Sequence, residues 1–276
     1  MLSKLIKSLS GGAVAQADGV YVCLMGGLGN QLFQLACARF LVAQGIAVSG
    51  LLTNLFESDG YARRPLVDAL SSIPVTALPK ASLASFTVLA EENGMTLLDA
   101  LRQRTSGGTV CRGYWQETTF ADACASELVA AFTRHGGDAR AGSADDCVVH
   151  VRRGDYGHHG LLPLAYYQAA LESAGWPRFS VVTDEPNYCE HVFSRVRGYA
   201  GVIRGANADP WSDFYRMSRA RLQIVANSSY SWWAAWLGTN TAATARVIAP
   251  AEWSLLAASN PCPPAWHRVD TKLLRP

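Results

Sequence analysis

The sequence has little charge and no long apolar run. Charged residues make up 17% of the 276 residues and the formal net charge is +2, which excludes a protein that binds nucleic acid through bulk positive charge. Hydrophobic residues make up 49%, which excludes a disordered chain. No apolar run approaches the roughly 18 residues of a membrane-spanning helix. The composition therefore predicts a folded cytoplasmic protein of one large or two smaller domains.

The start of the chain, Met1–Ser10, lacks the features of a signal peptide. It has leucines at helical spacing beside two lysines, but no long apolar core and no small-residue cleavage site. We expect a frayed helix here, with weak contact to an anionic membrane surface as the alternative. The predicted location is cytoplasmic, and peripheral binding at the inner face of the membrane stays open.

The sequence also lacks the usual patterns of a metal site. It has seven cysteines, an odd number at wide spacings, and no Cys-x-x-Cys pair, which argues against both a disulfide framework and a zinc site. It contains no Asp-x-Asp motif, the usual source of ligands for a divalent cation on a sugar nucleotide. We therefore expect reduced, buried thiols and no bound metal.

Two series of alternating strands and helices are predicted, one in each half of the chain. Residues 134–146 separate them, because this stretch has three glycines and almost no bulky apolar residue, as is typical of a linker. We place a first domain over residues 1–140 and a second over residues 141–276. Residues 54–108 show mixed signals and are left unassigned.

The pattern is clearest in the second half. Short apolar runs at 147–151, 179–183, 201–203, 222–226 and 246–249 alternate with helical patterns. This alternation predicts an α/β fold with a parallel sheet that helices cover on both faces. Ligands of such sheets bind beyond the carboxyl ends of the strands, so the residues that follow each strand are the candidates for a site.

Arg152 and Arg153 follow the strand at 147–151, and a glycine and Asp155 come next. Because successive side chains on a strand point to opposite faces, one arginine can reach a phosphate while the other pairs with an acid. An Arg–Asp pair that only fixes the turn is the alternative. Asp184 follows the strand at 179–183, where it can bind a ribose or a base edge, or cap the next helix.

A helix start rich in hydroxyl groups follows the strand at 222–226. Its polar residues are Asn227, Ser228, Ser229 and Ser231. These side chains can cap a helix, and a helix N-terminus with free N–H groups binds a phosphate readily. Trp232, Trp233 and Trp236 come next, and we expect them to lie in the core rather than to form a sugar-binding surface.

A glycine-rich loop, Gly26–Gln34, follows the first predicted strand. It lacks the third glycine of the dinucleotide-binding fingerprint, because Leu32 stands there, and no acid ends the next strand. A nicotinamide-dependent oxidoreductase is therefore the weaker hypothesis. The glycines still allow a ligand to approach the backbone closely, and Asn30 and Gln31 supply amides at a helix start.

Four stretches of the chain resemble the family 11 glycosyltransferases, which include the α-1,2-fucosyltransferases. They are Gly26–Gln34 (GGLGNQLFQ), Gly113–Gln116 (GYWQ), His150–Tyr156 (HVRRGDY) and Ala226–Leu237 (ANSSYSWWAAWL). Together with residues 213–219 and 247–253 they span nearly the whole chain in the family's order. The sequence departs from the family pattern at residues 183–185, which read Thr-Asp-Glu instead of Ser-Asp-Asp, and at Ala234, where glycine is common.

The resemblance implies a GT-B fold, in which two Rossmann-like domains face each other across a cleft. The C-terminal domain would bind GDP-fucose, and the N-terminal domain would lie on the acceptor side. Fucose would pass, with inversion, to the 2-hydroxyl of a terminal β-galactoside on an oligosaccharide acceptor. GDP-fucose is then a co-substrate, and no cofactor, metal or nucleic acid is expected. A fucosyltransferase of another linkage and a non-catalytic GDP-sugar-binding protein are the alternatives.

The resemblance also implies roles for the candidate residues. Arg152 would grip the β-phosphate of the donor, and Arg153 would orient the loop or the sugar. The donor-binding residues would be His150, Arg152, Asp184, Asn227, Ser228, Ser229 and Ser231. The cleft for donor and acceptor would include Gly27, Gly29, Asn30, Gln31, Tyr114, Trp115 and Gln116. The general base stays open between Asp155, His158 and His159.

Overall fold

The chain folds into two α/β units. The computed structural model describes residues 18–91, 97–104, 106–136, 147–157, 159–203, 209–256 and 260–274. Among these, unit 1 runs to Trp115 and adds Thr119–Cys124, whereas unit 2 contains Gln116–Thr118 and the residues from Ala125 onward. The segment Met1–Ser10 and most of the predicted linker, residues 137–146, lie outside the described residues.

Unit 1 is built on a parallel sheet. In the described part of this unit the strands are β1 (Val20–Cys23), β2 (Val48–Leu52), β3 (Val75–Thr76), β4 (Thr87–Ala90) and β5 (Thr109–Arg112), in the order β3-β2-β1-β5-β4. The helices are α1 (Leu28–Ala43), α2 (Lys80–Leu83), α3 (Leu97–Gln103) and α4 (Thr118–Ala123), the last of which begins in unit 2. β1 is buried along its whole length, as its continuous apolar sequence requires of a strand covered on both faces.

Unit 2 is built on a second parallel sheet. Its described strands are β6 (Cys147–Val151), β7 (Phe179–Thr183), β8 (Tyr199–Val202), β9 (Leu222–Ile224), β10 (Arg246–Pro250) and β11 (His267–Val269). They lie in the order β11-β10-β9-β6-β7-β8, which, counted from the first strand of the unit, is the strand order of the Rossmann fold. The helices are α5 (Ala125–Gly136), α6 (Leu164–Ser173), α7 (Pro186–Phe193), α8 (Pro210–Ser218) and α9 (Ser229–Asn240). The predicted α/β fold with two Rossmann-like domains is confirmed.

The core of unit 2 explains where the division of the chain falls. Phe132 of α5 stacks on Phe214 of α8 with ring centroids 5.5 Å apart, and the Tyr215 hydroxyl donates to the Phe132 carbonyl oxygen at 3.2 Å. These contacts assign α5 to unit 2, whereas the predicted boundary at residue 140 lies after this helix. Trp232 and Trp233 of α9 are fully buried, which confirms the prediction that the tryptophans lie in the core.

The cysteines also follow the prediction. All seven lie within the described residues, where each is buried and none is part of a disulfide. Burial raises the pKa of the Cys23 thiol to about 11, so this thiol stays protonated at neutral pH. In the same described part of the chain, no helix combines the length and the apolar character that crossing a membrane requires.

Candidate active site

The topology of unit 2 marks a position for a ligand. The strand order reverses between β6 and β9, because β7 and β8 lie on one side of β6 while β9, β10 and β11 lie on the other. In open α/β sheets the loops that leave such a switch point diverge and form a crevice at the carboxyl ends of the strands. The stretches that begin at His150 and Ala226 meet here, since Asn227 Nδ2 donates to the Gly160 carbonyl oxygen at 3.0 Å.

Two carboxylates hold the side chain of Arg152. Its Nη2 lies 2.6 Å from Asp155 Oδ1, and its Nη1 lies 3.2 Å from Asp184 Oδ2 at the end of the neighbouring strand β7. The Arg152 side chain remains 32% exposed, so the guanidinium is fixed in place but accessible to a ligand. A guanidinium has five N–H donors, so these two ion pairs leave donors over for an anion.

Gly154 allows the carboxylate of Asp184 to approach the turn. A Cβ at this position would lie 2.7 Å from Asp184 Oδ2, too close for any larger residue without a shift. Asp184 Oδ1 accepts the backbone N–H of Arg153 at 3.0 Å, and the Arg153 guanidinium lies 3.9 Å above the ring of Tyr188. The two adjacent arginines therefore diverge: Arg152 pairs with acids and Arg153 stacks on an aromatic ring.

His150 is a buried, neutral imidazole on β6. Burial, aided by the positive charge of Arg152, lowers its pKa to about 3. Its ring lies 5.7 Å from the ring of Tyr230, and within the described residues its buried Nδ1 has no hydrogen-bond partner. Buried polar atoms are almost always paired in folded proteins, so an unpaired one is a candidate for a hydrogen bond to a polar group of a ligand.

Asn227, on the other side of the switch point, has a second buried atom that lacks a hydrogen-bond partner among the described residues. The residue is 1% exposed, and its buried Oδ1 finds no hydrogen-bond donor in the part of the chain that the structure describes. Ser228 then caps α9 without a capping bond from its side chain, while Ser231 Oγ donates to the Ser228 carbonyl oxygen at 3.3 Å. The first-turn N–H groups of a helix need partners from outside it, and an anion is a favourable one.

Asp213 on α8 belongs near this site although the sequence prediction gave it no role. Burial raises the pKa of its carboxyl group. Burial, and after it the negative charge of Asp213, raises the pKa of Tyr230, whose ring lies 5.7 Å from the ring of His150. The Tyr230 hydroxyl donates to the Pro210 carbonyl oxygen at the start of α8. Asp213 lies inside a helix and not at the end of a strand, so the rule of strand ends does not predict it. The sequence indicates it only through the stretch 213–219, which resembles the family.

The glycine-rich loop of unit 1 has a different character. Gly26 adopts a φ of +76°, and a Cβ there would lie 2.6 Å from Asn30 Nδ2, so glycine is required. Gly27 caps α1 and Gly29 is buried in its first turn. Gln31 is fully buried, and its amide is used within the protein: Nε2 donates to the carbonyl oxygens of Gly26 (3.0 Å) and Arg64 (2.9 Å).

The loop after β5 is also held by polar side chains. Gln34 of α1 donates from Nε2 to the Gly113 carbonyl oxygen at 3.0 Å. Glu91 accepts the backbone N–H groups of Tyr114 (2.7 Å) and Trp115 (3.0 Å). Trp115 is buried, with a φ of +54° that is rare for a bulky residue. Gln116 already belongs to unit 2, where its Oε1 accepts from Trp253 Nε1 at 3.3 Å.

The predicted residues thus fall into three groups. Those that the structure brings together at the switch point of unit 2 are His150, Arg152, Arg153, Asp155, Asp184, Asn227, Ser228, Ser229 and Ser231. Those in unit 1 are Gly27, Gly29, Asn30, Gln31, Tyr114 and Trp115. The third group lies elsewhere. Gln116 belongs to unit 2 and contacts Trp253, His158 lies outside the described residues, and His159 Nδ1 lies 3.5 Å from Ser254 Oγ.

The chemistry of the switch point suits a phosphorylated ligand. A fixed guanidinium and a helix N-terminus supply positive charge, and two open buried atoms supply polar contacts beside them. Clusters of three or more His, Cys, Asp or Glu side chains with the geometry of a metal site do not occur among the described residues.

The chain is similar in sequence to two glycosyltransferases of Escherichia coli. It is 25% identical to the O-antigen biosynthesis glycosyltransferase WbnK, over 85% of this chain and 94% of that protein. It is 26% identical to an alpha-1,2-colitosyltransferase, over 90% of this chain and 97% of that protein.

Solved structures of glycosyltransferases are also similar, at low identity. The E. coli heptosyltransferase WaaC with ADP matches with a TM-score of 0.46 and 10% identity, over 92% of this chain and 91% of that one. POFUT1 in complex with GDP matches with a TM-score of 0.44 and 11% identity, over 83% of this chain and 98% of that one. The family model of glycosyl transferase family 11 matches residues 111–255, which is just over half of the chain. The chain belongs to glycosyltransferase family 11.

Proposed function

We propose that this glycosyltransferase moves L-fucose from GDP-fucose to the 2-hydroxyl of a terminal β-galactoside, with inversion and without a metal ion. The observation that carries the proposal is Arg152, which Asp155 and Asp184 hold at the switch point of unit 2, after β6. The neighbouring strand β9 leads into the N-terminus of α9. A diphosphate group needs such a fixed cation and such N–H donors.

The proposed reaction depends most on stabilising the leaving group. The bond between the anomeric carbon and the β-phosphate oxygen breaks, and the acceptor oxygen bonds to the opposite face of that carbon. The proton of the acceptor hydroxyl passes to a base, for which Asp155, His158 and His159 stay the candidates. Negative charge builds on the departing GDP, and Arg152 with the start of α9 would stabilise it without a metal ion.

The donor base is proposed to be guanine. Guanine carries adjacent N–H donors that suit a carboxylate. Asp213 supplies one on α8, next to Phe214, whose ring lies 5.9 Å from the ring of Tyr230. His150 Nδ1 and Asn227 Oδ1 are open for further polar contacts with the nucleotide. Asp213→Asn should therefore weaken the binding of GDP but leave the binding of inorganic pyrophosphate unchanged.

Colitose transfer is the second candidate, because one of the similar proteins is an alpha-1,2-colitosyltransferase. Colitose is L-fucose without its 3-hydroxyl group, so the two donors differ at one polar contact. A site that bonds the 3-hydroxyl rejects the sugar that lacks it, by factors of about 10⁴ where the polar partner is left buried and unpaired. A direct comparison of kcat/KM for the two GDP-sugars decides between them.

The test is to incubate purified protein with GDP-fucose or GDP-colitose and lactose, with and without EDTA, and to read the product linkage by NMR. We expect the sugar on the galactose 2-hydroxyl, at a rate that EDTA does not change. Complete loss of transfer in EDTA with recovery in Mn²⁺ would refute the metal-free mechanism. The absence of both GDP-sugar turnover and a thermal shift with GDP would refute the proposed donor.

A further inference from the structure

Two exposed tyrosines stand out in unit 1. Among its described residues the most exposed large apolar side chains are Val42 (49%), Tyr61 (65%), Val88 (54%) and Tyr114 (39%). Tyr61 lies on the loop that follows β2, and Tyr114 lies on the loop that follows β5. A single exposed apolar residue needs no explanation, but these two rings share further features.

The first shared feature is that helix α1 holds both loops. Gln31 Nε2 donates to the Arg64 carbonyl oxygen (2.9 Å), and its Oε1 accepts the N–H of Leu66 (2.8 Å), three to five residues beyond Tyr61. Gln34 Nε2 donates to the carbonyl oxygen of Gly113, the residue before Tyr114. Both glutamines are fully buried, so each loop is fixed to the same rigid helix by bonds that water does not compete for.

The second shared feature is that local contacts hold each tyrosine. The Arg63 guanidinium lies 4.3 Å from the Tyr61 ring centroid and also 3.5 Å from Asp59, which accepts the Tyr61 N–H at 2.8 Å. Tyr61 thus has one covered face and stays largely exposed.

Tyr114 is held through its backbone. Its N–H donates to Glu91, as does that of the next residue, Trp115, whose φ of +54° places it in a strained conformation. Strain of about 1–3 kcal/mol persists only where the surroundings enforce it, and it is concentrated at functional sites.

The third shared feature is position. β2 and β5 flank β1 in the sheet, so their carboxyl ends lie about 10 Å apart, two strand spacings. Both loops leave the edge at which α/β sheets bind their ligands. The remaining exposed side chains lack this placement: Val42 lies at the far end of α1, and Val88 lies within β4.

We propose that Tyr61 and Tyr114 form an acceptor platform on which an oligosaccharide stacks. This rests on the proposed function, since the oligosaccharide is the acceptor of that reaction. A tyrosine ring offers rigid apolar area to the C–H face of a sugar, and its hydroxyl stays available for hydrogen bonds. Gln31 and Gln34 lie one turn apart on α1, so the loops that carry the two rings are held near each other. An acceptor that contacts both rings has more than one sugar, so the platform selects a disaccharide or longer over free galactose.

The test measures acceptor binding without the donor. Lactose, lacto-N-biose and free galactose are titrated into the full chain by saturation-transfer NMR, for wild type, Tyr61→Ala, Tyr114→Ala, the ring-preserving Tyr61→Phe and Tyr114→Phe, and the matched control Val42→Ala. We expect each alanine variant to raise the Kd for both disaccharides about tenfold and to leave galactose binding unchanged. The phenylalanine variants and the control should stay within about twofold of wild type, which excludes a general loss of structure.

Two results overturn the acceptor platform: disaccharide affinities that the alanine variants leave unchanged, and wild-type protein that binds neither disaccharide. The affinity for GDP, measured on the same samples, separates this inference from the proposed function. Loss of disaccharide binding with intact GDP binding supports both. Tyrosine-dependent disaccharide binding in a protein that binds no GDP would support the platform and refute the donor.

Discussion

The two sheet edges of this protein differ in how the buried side-chain amides near them are bonded. In unit 1 the amides of Gln31 and Gln34 are fully buried and bonded to loop backbone. In unit 2, His150 Nδ1 and Asn227 Oδ1 are equally buried, yet neither has a hydrogen-bond partner within the described residues. A buried amide after a strand therefore indicates a structural role when all its hydrogen bonds are made within the protein, and a ligand site when one is missing.

The largest effect should come from the charge at the unit 2 edge. Arg152→Ala removes the cation that faces the leaving diphosphate, and we expect kcat to fall about 10²- to 10³-fold, as for the loss of one donor to a developing anion. Arg152→Lys keeps the charge but loses the forked geometry that reaches both Asp155 and Asp184, so its rate should be intermediate. More than a tenth of the wild-type rate in Arg152→Ala would remove this residue from the mechanism.

Two buried amides, Gln31 in unit 1 and Asn227 in unit 2, provide a matched pair of variants. Gln31→Ala leaves the Gly26 and Arg64 carbonyl oxygens and the Leu66 N–H without partners, and we expect the free energy of unfolding to fall by about 2–3 kcal/mol. Asn227→Ala removes the hydrogen bond to the Gly160 carbonyl oxygen, and it should lower the stability less but the GDP affinity more. Urea unfolding and GDP titration on both variants provide the measurements. A stability loss from Asn227→Ala that exceeds that from Gln31→Ala would contradict the distinction.

Gly154 tests the link between the arginine turn and the neighbouring strand. In Gly154→Ala the new Cβ would lie 2.7 Å from Asp184 Oδ2, the atom that pairs with Arg152, so this carboxylate must shift and the ion pair is disturbed. We expect GDP-fucose to bind about tenfold more weakly, as for the misplacement of one good anchor. Gly60→Ala is the control, because a Cβ at that position meets no atom within 4 Å. Equal donor affinities for the two variants would show that Asp184 does not position Arg152.

The smallest effect should be a pH dependence of stability that comes from His150. Its pKa is lowered to about 3 in the folded protein, whereas an unfolded histidine titrates near 6.5. Above about pH 6.5 both states are neutral and His150 adds no slope. Below it the unfolded chain takes up a proton that the folded protein does not, so the stability falls by about 1 kcal/mol at about pH 5.5.

The matched variant for this effect is His150→Gln. The loss of stability between about pH 7.5 and pH 5.5, measured by urea unfolding, should be smaller in His150→Gln than in wild type by that amount. Identical losses in the two proteins would mean that His150 is protonated in the folded state and that its surroundings do not exclude charge.

The sequence predicts much of unit 2 because its strands are continuous apolar runs between clear helix patterns. The predicted strands 147–151 and 179–183 match β6 and β7 residue for residue, and β10 extends the predicted 246–249 by one residue. Residues 54–108 resist prediction, because the described elements there are short: β3 has two residues, and the 3-10 helix at Asp68–Leu70 has three. Such segments are too short to establish a hydrophobic period.

The site is predictable in its location but not in the function of each residue. The rule of strand ends leads to Arg152, Asp184 and Asn227 without a structure. It cannot show that the Gln31 amide donates hydrogen bonds to backbone carbonyl oxygens 5 and 33 residues away, because those contacts depend on the tertiary fold. Nor does it reach Asp213, which lies within α8 rather than at a strand end.

Hydrogen–deuterium exchange with and without GDP tests most directly whether the unit 2 edge, and not the unit 1 edge, binds the nucleotide. We expect GDP to slow exchange in peptides covering 150–156 and 226–231, where the arginine turn and the start of α9 lie, and to leave peptides covering 26–34 and 113–115 unchanged. Protection at 26–34 with none at 150–156 or 226–231 would show that the nucleotide binds at the unit 1 edge instead.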